Sequence, residues 1–291
     1  MPCFDLSDRV KLRLTGSDRV RFLNGQVTND VRKANANLSM AACVLSAKGK
    51  MDALIFIGAG EDNLLVDADP ELKETLAARL DRYLIADEVV IEDVTEDFVL
   101  FHVTGETAPV LPDEAHWRRG RRFGCAGWDL LVAAEEKGRV SQWLATAGPL
   151  CDPAEAERWR IEQGVPRWGR ELTPQIIPVE ANLEGDAIDY AKGCYIGQEV
   201  ISRMKISGQT NKRLCGLVSA EGAALSPGLL LRSEAGKEVG MVTSATHSVR
   251  LGKEIALGYV KRGANAAGTH LAARTAAGAT IAVEVVELPF R

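Results

Sequence analysis

Long apolar runs are missing from this chain. No stretch approaches the roughly 20 residues that a bilayer-crossing helix needs, so neither a span nor a membrane partner is expected. Histidine is scarce, at four residues. The six cysteines lie scattered at positions 3, 43, 125, 151, 194 and 215, with no C-x-x-C pair and no H-E-x-x-H anywhere. A zinc, cluster or redox site built by this chain is therefore not expected, and at 291 residues neither is a disulfide scaffold. An excess of positive charge is also absent: 35 Lys and Arg stand against 40 Asp and Glu, a net charge of −5. That argues against a broad nucleic-acid footprint and leaves room only for a local basic patch. The opening residues MPCFDLSDRVKLRL carry no apolar signal core and no Arg/Ser-rich amphipathic presequence. A cytoplasmic location is expected, or the mitochondrial matrix for a processed eukaryotic form. No repeat period and no low-complexity linker is visible.

What is present is a 46% hydrophobic chain long enough for two or three domains. Lys11–Thr15 reads as a strand, and Ser17 or Asp18 can cap a helix carrying Val20, Leu23 and Val27. Ala41–Leu45 reads as a strand, Ala53–Ile57 and Leu64–Asp67 as a strand pair. Leu72, Leu76, Leu80 and Leu84 form one stripe of a helix over Pro70–Leu84. Glu88–Val94, Phe98–Val103 and Trp128–Ala133 are β-rich, and a helix is expected around Val140–Thr146. Asp152, Pro153, Glu155 and Gly164 supply cap, first-turn and terminator signals for a further helix. From Gln209 onward six short strands alternate with glycine-rich turns, which indicates a β-barrel or sandwich.

Two segments concentrate chemistry. In the first, Arg160 to Glu171, the acid Glu162 ends a helix whose dipole it opposes. A ligand offering two adjacent N–H donors, such as the 2-aminopyrimidinone edge of a pterin, would compensate it, and Trp168 could stack on the ring. The plainer alternative is an ion pair with Arg158, four residues back. In the second, Lys192-Gly193-Cys194-Tyr195-Ile196-Gly197-Gln198-Glu199, a cysteine precedes a helix that Gly208 ends. Lys192 and the helix N-terminus would favour a thiolate at Cys194; the alternative is a small thiol packed beneath a tight turn. Local reasoning leaves both questions open.

These segments resemble known ones. Lys192–Glu199 matches K-G-C-[FY]-x-G-Q-E, the signature of YgfZ-type folate-binding proteins, at every fixed position. Arg160 to Glu171 resembles the folate segment R-x-E-x-G-x-P-x-x-G-x-E of the glycine-cleavage T-protein superfamily. Pro178–Leu183 is similar to its P-x-E-A-x-L block and Phe22–Asp30 to its FLQGQ-[VL]-T-N-D block. The resemblance covers most of residues 8–215 in the family's order. It implies an α+β fold: a three-domain cloverleaf around a central folate site, with a C-terminal β-barrel domain. The expected domains are 1–48 plus 149–207 for folate, 49–148 as an α+β unit of βαβ type, and 208–291 as the barrel. It further implies that Glu162 anchors the pterin of a tetrahydrofolate, or of a one-carbon derivative, with Trp168 beside the ring. Lys192 and Gln198 are signature positions assigned to the cofactor side, and Arg213 is carried over for the glutamate tail. Cys194 becomes the working thiol of a factor for assembly or repair of iron–sulfur clusters in client enzymes, including tRNA-thiomethylating ones.

The rival is an aminomethyltransferase, which typically carries an acidic pair in G-G-[IV]-x-D-D. Here the stretch is Lys48-Gly49-Lys50-Met51-Asp52-Ala53, so Asp52 remains as a lone candidate acid and Ala53 can move no proton. The cysteine signature also replaces the transferases' K-x-D-F-I-G. Finally, Arg118, Arg119, Arg121 and Arg122 lie between Trp117 and Phe123. This run is read as a charged hairpin edge, with a weak tRNA contact as the alternative.

Overall fold

A computed structural model describes residues 1–110, 116–274 and 278–291. The chain divides into two compact units, Met1–Asp152 with Leu183–Arg203, and Pro153–Asn182 with Met204–Arg291.

The first unit holds strands β1 (Cys3–Asp5), β2 (Val10–Thr15), β3 (Met40–Leu45), β4 (Met51–Ala59), β5 (Leu64–Ala68), β6 (Val90–Asp93), β7 (Phe98–Thr104), β8 (Trp117–Gly120) and β9 (Gly127–Ala133). Its helices are α1 (Arg19–Gln26), α2 (Lys73–Asp81) and α3 (Lys137–Ala147). One antiparallel sheet runs β3-β4-β5-β2-β6, the other β1-β7-β9-β8. β3 and β4 form a hairpin across the turn Ser46–Lys50, with Cys43 opposite Leu54 and Leu45 opposite Met51. The Leu72, Leu76 and Leu80 stripe is buried as expected, but α2 stops at Asp81 and Leu84 lies in the turn beyond it. Asp18 precedes α1 without capping it, because its carboxylate accepts instead from the Glu88 amide and Arg21.

A buried ionic cluster ties the two sheets of this unit. The Arg122 guanidinium donates to Asp67 on β5 at 2.7 Å and to Asp129 on β9 at 2.8 Å. Arg9 reaches Asp67, and Asp129 also holds His102 Nδ1 at 2.7 Å. Burial alone would raise both carboxyls; Arg122, with Arg9 at Asp67 and His102 at Asp129, holds them below the ordinary aspartate range. Phe123 stacks on Phe4 with ring centroids 4.0 Å apart. Of the four arginines in the run, therefore, only Arg119 and Arg121 are exposed, while Arg122 is a core residue.

The second unit begins with helix α4 (Pro153–Glu162). Gly164 follows at φ +70°, and the Val165 amide returns to the Arg160 carbonyl, which ends the helix as the sequence indicated. A fifth helix, α5 (Gln198–Ser207), starts in the first unit's stretch of chain and finishes in the second's. Strands β10 (Lys212–Ser219), β11 (Leu230–Arg232), β12 (Glu238–Ser248), β13 (Lys253–Lys261), β14 (His270–Arg274) and β15 (Thr280–Val286) close a barrel in the order β10-β13-β12-β11-β14-β15. Alternation decides its interior: Cys215 and Leu217 on β10, Ala256 and Val260 on β13, and Val283 and Val285 on β15 point into one core.

Candidate functional site

Among the sequence-derived candidates, Asp52, Lys192, Cys194 and Gln198 lie in the first unit, and Glu162, Trp168 and Arg213 in the second.

In the first unit the signature loop is seated on the segment that follows α1. Thr28 makes the seat: its hydroxyl donates to the Ala187 carbonyl at 2.6 Å and accepts from the Cys43 amide at 2.8 Å. The Asp189 amide donates to the Thr28 carbonyl, and Asn29 Nδ2 bonds the Asp186 carbonyl. The Lys192 ammonium is buried and donates to three backbone carbonyls, Asn24 and Val27 at 2.6 Å and Asn29 at 2.9 Å. Burial lowers its pKa to about 8, with Asp30 and Asp189 acting the other way, so it stays charged at neutral pH. On the far side of the cysteine the Ile196 amide donates to the Gly25 carbonyl. Tyr195 is buried, with its ring 5.1 Å from the Lys192 nitrogen. Gly197, at φ +83°, fits where a Cβ would come within 2.7 Å of the Ser46 carbonyl oxygen. Held from both sides, the loop leaves Cys194 exposed, so the thiol is not packed beneath the turn.

The β3–β4 turn under Gly197 leads to Asp52, whose carboxylate accepts from Arg79 Nε at 2.7 Å. Arg79 also donates to the Leu45 carbonyl and to Gln26 Oε1. Asp52 is thus held by a cation that sequence reasoning did not single out. Gln198 is half-buried at the start of α5, its amide bonded to the Tyr195 carbonyl.

In the second unit the two acids of the Arg160–Glu171 segment separate in role. Glu171 is fully buried and saturated: Oε1 accepts from Thr243 at 2.7 Å and Ser244 at 2.6 Å, Oε2 from Arg160 at 2.9 Å and the Arg167 amide at 3.1 Å. Arg160 also pairs with Glu157 and donates to Ser244. The terminal residues of the motif therefore clamp their own loop onto β12. Glu162 is buried at 4% exposure, yet accepts one short bond, from Ser248 Oγ at 2.5 Å, and a long one from Arg250 at 3.4 Å. Its partners come from the barrel rather than from Arg158, and nothing in the local sequence announced them. Trp168 is half-buried and bridged to Leu172. Arg213 donates to Asn182 Oδ1 at 2.6 Å, and Asn182, at φ +61°, donates in turn to the Leu214 carbonyl.

Residues 212–291 match the glycine cleavage T-protein C-terminal barrel domain. The whole chain superposes on the glycine cleavage system aminomethyltransferase T from Bartonella henselae with a TM-score of 0.87, covering 100% of this chain and 86% of the other at 18% identity. Fold and barrel together give the chain the α+β architecture of the T-protein type, with a C-terminal six-stranded barrel. Two curated relatives narrow this. A tRNA-modifying protein YgfZ of Yersinia pestis is 29% identical over 225 residues, 72% of this chain and 68% of its own. A mitochondrial iron-sulfur cluster assembly factor IBA57 homolog of Dictyostelium discoideum is 25% identical over 251 residues, 73% of this chain. The chain spans about two thirds of the length of these relatives, 68% of the first and 61% of the second. Together with the intact Lys192–Glu199 signature, these likenesses support a YgfZ-type member of the glycine-cleavage T-protein superfamily.

Proposed function

We propose that this protein binds a tetrahydrofolate and supports assembly or repair of iron–sulfur clusters in client enzymes, with Cys194 as its working thiol. The observation that carries the reading is the presentation of Cys194: the loop around it is anchored on both sides, and the cysteine faces solvent. The names of the relatives supply the process, iron–sulfur assembly and tRNA modification.

The residues in the second unit fit a pterin. A carboxylate has about four acceptor positions, and Glu162 uses one in a short bond from Ser248 and another in a long one from Arg250. Its remaining capacity suits two adjacent N–H donors, and Trp168 offers a half-buried indole face for a flat ring. Bound folate would supply a one-carbon carrier; Glu162 would fix its ring and Arg213 would face a carboxylate tail. Clients that modify tRNA, and a cytoplasmic or matrix location, belong to this reading.

The second reading is one-carbon transfer, favoured by the whole-chain likeness to an aminomethyltransferase. Against it stand Ala53 at the second acid position and the Arg79 clamp on Asp52.

An anaerobic tetrahydrofolate titration followed by tryptophan fluorescence, with ammonia release from a lipoyl carrier assayed on the same sample, separates the two. Saturable quenching without ammonia is expected. Ammonia release would establish the transferase, and absence of binding would remove folate from the proposal. Cys194→Ser is expected to bind folate normally and to fail to complement a strain lacking its own YgfZ-type factor. Full complementation would end the role given to the thiol.

A further inference from the structure

The geometry points to Lys192 as the positioning residue for Cys194: its ammonium, bonded to the carbonyls of Asn24, Val27 and Asn29, is a latch that holds the cysteine loop in the presenting conformation. This rests on the reading of Cys194 as a working thiol and says what makes that thiol available.

Three features of the site support it. First, the side chain two residues before an exposed thiol turns away from solvent and spends all three N–H donors on one short segment of backbone. An ammonium has three donors and no acceptor, so three converging carbonyls match it completely. Second, Asn24 is among the last four residues of α1, whose carbonyls have no intrahelical partner, and Val27 and Asn29 follow where the chain leaves the helix on an extended course. A cation at that end is favoured by the helix dipole as well. Third, the other anchors bracket the cysteine without touching it. Thr28 and Asn29 hold residues 186–189, and Gly25 holds Ile196. Between them, Ala191, Gly193 and Cys194 are exposed and nothing lies within 4 Å of where a Gly193 Cβ would be. Lys192 is therefore the one residue from Ala191 to Cys194 whose side chain is buried in the seat.

The charged groups around the latch agree with it. Asp30 and Asp189 favour the ammonium, Arg32 opposes it, and each of these is itself paired, Asp30 with Arg32 and Asp189 with Lys33. Neither aspartate competes for the Lys192 nitrogen, which leaves the carbonyls as its partners.

The test is amide hydrogen exchange in the full-length protein, comparing wild type with Lys192→Met, which keeps the stem without donors, and Lys192→Gln, which keeps two donors on a shorter stem. Loss of charge-assisted bonds is expected to lower the protection factor of the Ile196 and Asp189 amides at least about tenfold in the Met variant and by less in the Gln variant. Protection of the Val242 amide in the barrel serves as the control for global folding. Complementation is expected to fall in the same order. Equal Ile196 protection in wild type and both variants would overturn the latch. If the Met variant fails to fold, the Gln variant alone decides on the same criterion. The two proposals fail separately. A fully complementing Cys194→Ser ends the role of the thiol and leaves the amide protection untouched, whereas unchanged protection in the lysine variants ends the latch and leaves the role of the thiol standing.

Discussion

Two glutamates nine positions apart show how little a residue's chemistry is fixed by its type. Glu171 has no exposure and accepts four hydrogen bonds, from Thr243, Ser244, Arg160 and the Arg167 amide. Glu162 is nearly as buried but holds one short bond, from Ser248, and a long one from Arg250. The first is a structural clamp, and the proposed folate role rests on the acceptor capacity that the second has left. Glu171→Ala leaves Arg160 charged, buried and short of its partner, so a loss of about 3–5 kcal/mol is expected, measured by denaturant unfolding. Glu162→Gln should cost much less stability, because Ser248 can still donate to the amide oxygen, while tetrahydrofolate affinity falls at least about tenfold. Equal destabilisation by both changes, with folate affinity intact in the Glu162 variant, would refute this division of roles. The residue types were legible in the sequence; the partners Ser248 and Arg250 were not, because they lie more than 80 positions away and only barrel closure delivers them.

At the level of elements, the turn that carries Cys194 depends on glycine at one position and not at another. Gly197 sits at φ +83° with the Ser46 carbonyl oxygen 2.7 Å from a hypothetical Cβ, and Gly49 3.2 Å away. Gly197→Ala would combine left-handed strain, about 1–2 kcal/mol, with a backbone collision that pushes the loop off the β3–β4 turn. Gly193→Ala meets nothing within 4 Å and should be neutral in stability. Thermal melts of the pair check this, and similar melting temperatures for both variants would show that the loop is not seated as described. The regular elements were largely legible. Short runs between glycine-rich turns announced all six barrel strands, and the leucine stripe announced α2. The charged hairpin edge is there as β8, paired with β9 at the end of its sheet, whereas the three-residue β1 escaped, because it gains its pairing from β7, which no local pattern encodes. Asp18 failed as a cap for a similar reason, since the Glu88 amide, 70 residues distant, competes for its carboxylate. The seat of the signature loop belongs with these. The motif singled out residues 192–199, but the three carbonyls around Lys192 come from residues 24–29.

On the scale of the whole molecule, each unit holds a buried arginine paired with two carboxylates as well as an apolar core: Arg122 with Asp67 and Asp129 in one, Arg160 with Glu171 and the partly exposed Glu157 in the other. Such clusters tie stability to pH with a definite sign. Asp67 and Asp129 are depressed in the folded state relative to an unfolded value near 3.9, so the folded protein binds fewer protons than the unfolded one in that range. Their contribution is present above about pH 4 and is lost as pH falls through the folded values. Arg122→Met removes the largest depressing charge and leaves Asp67 with Arg9 alone and Asp129 with His102 alone, so that burial pushes both carboxyls toward protonation. A cost of about 3–5 kcal/mol is expected at pH 7. As pH falls below about 4, the unfolded chain takes up protons that the wild type's depressed carboxyls refuse, which costs the wild type stability, while the variant's under-compensated carboxylates protonate and are relieved, so the gap between their melting temperatures should narrow. Melts of both proteins from pH 7 to pH 3 measure that gap directly. A gap that stays constant across the range would mean that Arg122 acts through packing on Phe56, over whose ring it sits at 4.1 Å, and not through charge.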